Sequence, residues 1–155
     1  MSQVHDDLQD FKGPVRFRQG IQGPTPATFG ALTVLANVLT ADINAGKILL
    51  PAIVGSRYRI LDWKLVARGG AATAVTSVDI KDTNSSPVFV AVVLAAALTQ
   101  NKVVGPGMAS VTDGTSGSMG QPLTVSKGVQ VAKDGSDMTT ATSVDVYLVY
   151  AIEQV

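Results

Sequence analysis

One histidine, His5, and no cysteine are all that this 155-residue chain offers in imidazole and thiol chemistry. A Ser-His-Asp relay, a Cys-His pair or a His-based metal site needs those reagents held by a folded core, and His5 sits in the acidic leader "MSQVHDDLQD". Carboxylates remain. Eleven aspartates are spread along the chain, and ten of them lie beside turn or strand-edge residues, where solvation accounts for them. Asp62, in "ILDWKL", stands apart inside an apolar run, with Trp63 and Lys64 following it. A carboxylate beside an indole can have a displaced pKa and act as an acid or base. An outward residue sharing a strand face with Lys64, or an ion pair between subunits, explains it more simply, and that reading is preferred. The expectation is a protein that is not an enzyme and uses no cofactor or metal.

Three further motifs fall to the same weighing. "GPGMASVTDGTSG" is rich in glycine but lacks the Lys-Ser/Thr ending of a phosphate loop, and no long helical pattern follows it. "DGSD" at 134–137 carries too few oxygens at calcium-loop spacing and reads as a hairpin turn. "NSS" at 84–86 fits a glycosylation acceptor, but without a secretory signal it reads as turn chemistry.

Twelve basic and twelve acidic residues cancel, and charged side chains make up 15% of the chain, against about 25% in ordinary soluble domains. Such a surface is poorly suited to nucleic acid. Sparse charge with abundant small and apolar residues points instead to a surface covered by protein, in a homo-oligomer or a larger assembly. The longest nearly uncharged run, "PVFVAVVLAAAL", is too short to span a bilayer. The expectation is a soluble protein made in a cytoplasm, with protein partners, no nucleic acid and no membrane.

The elements that would hold these residues follow from periodicity. Residues 32–40, 47–53, 58–67, 75–82, 87–95, 123–133 and 142–153 are strand-length, rich in β-branched side chains and bounded by turn residues such as "NAG", "VGS", "RGGA", "TNSSP" and "KDGSD". Seven or eight strands at that spacing predict an all-β domain, a β-sandwich or jelly-roll-like barrel, over residues 32–155. In the last strand Val144, Val146, Leu148, Tyr150 and Ile152 should face the core, with Asp145, Tyr147, Val149, Ala151 and Glu153 on the other side. "AVVLAAALTQNK" fits helix or strand, and the expectation is a strand ending near Ala95 followed by a tight turn. Residues 104–122 read as one long glycine- and serine-rich loop. "TAVTSVDI" and "TTATSVDV" echo each other, which strand grammar explains before duplication does.

Residues 1–31 differ. "GPVRFRQGIQGPTPATFG" holds three prolines and four glycines, a density that blocks helix and central strand alike. Phe11, Phe17 and Phe29 are spaced along the segment, and each buried in a partner's groove is worth roughly 1.5–3 kcal/mol. Arg16 and Arg18 alternate with Val15 and Phe17, as in an extended strand laid against a partner. The segment reads as an extended arm, docking on another chain or folding back on its own.

From about Thr40 onward, "ADINAGKILLPAIVGSRYRILDWKLVARGGAAT", "VDIKDTNSSPVFVAVV" and the closing "GVQVAKDGSDMTTATSVDVYLVYAIE" resemble small β-sandwich head decoration (cement) proteins of tailed bacteriophages. The resemblance implies a β-barrel or jelly-roll module, commonly a homotrimer, on the outer surface of the capsid, where it clamps neighbouring major capsid subunits. It transfers no individual contact residues. Those expected here for capsid or inter-subunit contact are Phe11, Arg16, Phe17, Arg18 and Phe29 on the arm, with Trp63, Tyr147 and Val149 at an oligomer seam. A tail- or fibre-associated module binding host glycan is the alternative, with Trp63, Tyr58 and the C-terminal tyrosines as its sugar-stacking candidates.

Overall fold

Two antiparallel sheets face one another across an apolar interior in a computed structural model that describes residues 30–108, 111–113 and 120–155. In chain order the elements are β1 (Leu32–Leu39), a short helix α1 (Thr40–Ala45), β2 (Lys47–Leu50), β3 (Ser56–Arg68), β4 (Ala72–Asp82) and β5 (Phe89–Leu94). A 3-10 turn (Ala95–Ala97) follows, then β6 (Val103–Val104), β7 (Val111–Asp113), β8 (Val129–Thr140) and β9 (Ser143–Gln154). The first sheet runs β1-β9-β3-β6 and the second β2-β8-β4-β5-β7. The all-β sandwich is thus as expected, an open pair of layers with two more short strands than periodicity showed.

The core is built from alternating positions. Trp63, Leu65, Ala67, Val144, Val146 and Leu148 enter it from the first sheet, and Val78, Ile80, Val93, Val129 and Val131 from the second. In β3 the alternation would fail after Ile60, because Trp63 lies three residues further on. A bulge at Leu61 absorbs the extra residue and returns Trp63 to the inner face. Asp62 Oδ1 accepts the Trp63 backbone N–H at 2.8 Å, holding the bulge. The face assignment of β9 holds: Ile60 lies opposite Tyr150 and Tyr58 opposite Ile152, all inward.

Three sequence expectations need correction. "KDGSD" is not a hairpin turn; β8 runs through it as a bulged strand, with Gly135 at φ +79° and register shifts against β4 around Thr76. A Cβ at Gly135 would collide with the Thr76 hydroxyl. The reversal comes later, at Ala141 and Thr142. Residues 123–128 are outside β8, since Ser126 and Leu123 hydrogen-bond back to Ser56 and Tyr58 instead of joining the second sheet. The supposed long loop begins at the end of β6 and contains β7, the two strands pairing at the edges of different sheets. After β5, the strand does end at Leu94 and a tight 3-10 turn follows, placing Leu98 in the core.

Three of the passages between the layers, β1 to β2 through α1, β3 to β4 and β8 to β9, meet at one corner. Thr40 N–H donates to Thr142 O at 3.1 Å, and Thr142 N–H donates to Arg68 O at 2.9 Å. The Thr40 hydroxyl donates to Ala141 O at 2.6 Å. Gly70 is packed so close that a Cβ there would lie 2.8 Å from Thr140 O. At the opposite end Asp82, fully buried, accepts from the backbone N–H of Asn84, Val88 and Thr124, each at 3.1 Å, and from the Thr124 hydroxyl. One carboxylate therefore ties the β4–β5 turn to the segment that precedes β8.

Candidate interaction face

The outer face of the first sheet carries the surface residues expected from sequence. Residues directly opposite across antiparallel strands share a face, so the pairing registers define its rows. Leu35, Tyr147 and Lys64 form one row, and Thr33, Val149 and Asp62 the next. Lys64 Nζ lies 5.5 Å from the centroid of the Tyr147 ring, within reach of a cation-π attraction. Asn37, Asp145, Val66 and Val103 make a third row, and Leu39, Ser143 and Arg68 a fourth.

Leu35 is 75% exposed, Leu39 58% and Val103 52%. Three large aliphatic side chains left in water on one sheet face are a mark of a surface meant to be covered. Periodicity had singled out Tyr147 and Val149 on this face, and the structure places them side by side at its centre. It missed Leu35, Leu39 and Val103. For β1 the signal was present in the alternation Thr33, Leu35, Asn37, Leu39, but an apolar residue at every second or third position hides which side is inside.

Trp63 is corrected. Its side chain has no exposed surface and fills the core between the sheets, so it cannot form part of a seam. Its indole N–H is the one buried side-chain polar group among the described residues without a partner. Phe11, Arg16, Phe17, Arg18 and Phe29 lie outside the described residues.

Polar groups share these rows, Asn37 and Asp145 beside Val103, and Ser143 and Arg68 beside Leu39. Asn37 Nδ2 donates to Asp145 Oδ1 at 2.6 Å and to Ser143 Oγ at 2.9 Å, while Arg68 Nε donates to Asp145 Oδ2 at 2.6 Å. Hydrogen bonds from Asn37 and then Arg68 hold the Asp145 carboxyl below the usual carboxylate range. Toward the other end of β9, Arg57 Nε lies 2.8 Å and Arg59 Nη2 2.6 Å from the Glu153 carboxylate. Burial opposes ionisation of Glu153, but the two arginines outweigh it and lower its pKa. Arg59 also donates to Gly120 O.

The outer face of the second sheet has a different character. Ser77, Asp79 and Lys81 alternate along β4, with Ser77 Oγ donating to Asp79 Oδ1 at 2.7 Å and Lys81 Nζ 4.0 Å from Asp79 Oδ2. Burial raises the Asp79 pKa, an effect the Ser77 hydrogen bond and Lys81 only partly offset. Ser77 is buried and its proton is directed at Asp79. Among the described residues no group of three or more His, Cys, Asp or Glu is placed to hold a metal, and no helix is long and apolar enough to cross a membrane.

The arrangement therefore defines a class, an antiparallel β-sandwich in which no described residue covers the outer apolar side chains of the first sheet. The chain matches no family model, no curated protein and no solved structure.

Proposed function

We propose that this chain is a non-enzymatic structural protein of a virion, one that binds the outer surface of a phage capsid and stabilises contacts between major capsid subunits. The observation that carries the reading is the outer face of the first sheet, where Leu35, Leu39 and Val103 are covered by no described residue. Burying apolar area of this kind against protein is the ordinary source of affinity in a clamp. Many weakly bound copies on one lattice would add avidity. The low charge of the chain suits such a role, and the resemblance to head decoration proteins supplies the particular partner.

The glycan-binding alternative needed exposed aromatic rings. Trp63 and Tyr58 are buried, and the Tyr58 hydroxyl is spent on Pro51 O at 2.7 Å. A sugar platform would have to be built without them.

The test is binding of the purified protein to undecorated capsids, beside a form lacking residues 1–30. The clamp reading expects the full chain to bind, and the shortened form to lose capsid binding while its circular dichroism spectrum stays that of a folded β protein. A full chain that never binds capsids overturns it.

A further inference from the structure

The strongest unexplained feature of the fold is the free edge of β1. This strand is the end member of the first sheet, and among the described residues nothing pairs with its outer side. Natural edge strands are protected by lysine, proline, bulges or brevity, because a bare row of N–H and C=O groups recruits other strands. β1 has none of these devices. It is eight residues long, "LTVLANVL", without a charge or a proline, and its register with β9 runs unbroken from Leu32 opposite Tyr150 to Leu39 opposite Ser143.

We infer that β1 pairs antiparallel with β1 of a second copy of this chain about a two-fold axis at Leu35, joining the two first sheets into one continuous eight-stranded sheet. The occupant is chosen by chemistry. A two-fold axis perpendicular to the sheet keeps both outer faces on one side, so partners must share parity, and centring on Leu35 matches like with like along the strand. Leu35 meets its own copy, Val34 meets Ala36, and Leu32 meets Val38. Thr33 meets Asn37, whose amide nitrogen is already engaged by Ser143 and Asp145 and whose carboxamide oxygen can take the Thr33 hydroxyl proton. Moving the axis one residue, to Ala36, sets Leu35 against Asn37 and Thr33 against Leu39. Apolar then faces polar at each outer pair.

Charge agrees. An uncharged strand brings no like charges together across the axis, and the nearest acid, Asp145, is neutralised by Arg68 within its own domain. The pairing also extends what is already built. The row Lys64, Tyr147, Leu35 continues through the axis into its copy, so the most exposed large side chain of β1 becomes the centre of an apolar band. A two-fold contact of this type replaces the three-fold association that the resemblance implies. It stands independently of capsid binding.

The experiment uses the full chain. Sedimentation equilibrium across the micromolar range should give a dimer, and Leu35→Glu should weaken it by at least about a hundredfold, because two carboxylates would then face each other across the axis. Leu35 is 75% exposed, so the substitution leaves the core intact. A second variant is independent of that outcome. The chain has no cysteine, so Leu35→Cys carries the only thiol, and its Cα should sit within disulfide reach of its copy, as directly opposed antiparallel residues do. Mild oxidation should cross-link Leu35→Cys much faster than Val54→Cys, placed on an exposed turn away from the edge. A monomer, a trimer, a dimer indifferent to Leu35→Glu, or a Leu35→Cys chain that cross-links no faster than the control overturns the inference.

Discussion

Asp79 and Glu153 are both nearly out of contact with water, and the structure has them answer pH with opposite signs. The Asp79 pKa is raised by burial, so its charged form costs stability above the folded pKa and costs nothing below the ordinary aspartate range of about 4. Asp79→Asn keeps an acceptor for the Ser77 hydroxyl and removes that cost. It should raise the denaturation midpoint at pH 7, and the gain should vanish by about pH 3. Glu153 is lowered despite its burial, by Arg59 and Arg57, so it contributes stability above the ordinary glutamate range that is lost as pH falls through its folded pKa. Glu153→Gln should cost about 1–3 kcal/mol at neutral pH, with the deficit closing in acid. Urea titrations of both variants at the two pH values check the crossing. Neither residue was visible as special in the sequence. Glu153 is the only glutamate, but its value comes from Arg57 and Arg59 on another strand, and no local pattern brings 57, 59 and 153 together.

Elements were more legible than contacts. β9 could be read position by position because its apolar residues alternate without interruption and one neighbour, β1, lacks bulges along the shared register. β8 could not. Its "KDGSD" segment has the composition of a turn, yet tertiary pairing with β4 keeps it extended and spends Gly135 on a bulge. Gly135→Val would force a branched side chain into positive φ against Thr76 and should cost roughly 2–3 kcal/mol, read as a lower thermal midpoint with an unchanged β spectrum. Asp82 belongs to the same lesson. In sequence it is one more aspartate before a turn; in the fold it gathers four donors from two segments. Asp82→Ala strands those donors in the interior and should cost at least about 3 kcal/mol, measurable in the same titrations.

At the scale of the molecule, the first sheet is closed by its last strand. β9 lies between β1 and β3, so the sheet cannot assemble until more than a hundred residues separating β1 from β9 have been gathered. Such non-local pairing makes folding slow. Refolding should take milliseconds to seconds in a single phase, followed through Trp63, whose indole moves from water into the core. A chain ending before Ser143 should not fold at all, since both β1 and β3 would lose their shared partner.

The corner where Thr40, Arg68 and Thr142 lock the layer crossings has a topological consequence. With those three crossings gathered at that pole, the start of β1 and the end of β9 are left together at the other, Leu32 opposite Tyr150 and Gln154 four residues beyond. A short bridge from Val155 to Gly30 would close the described domain into a ring, and the ring could be reopened in the exposed turn at Ser85 without cutting a single crossing. The order in which the strands are strung is therefore separable from the shape they make.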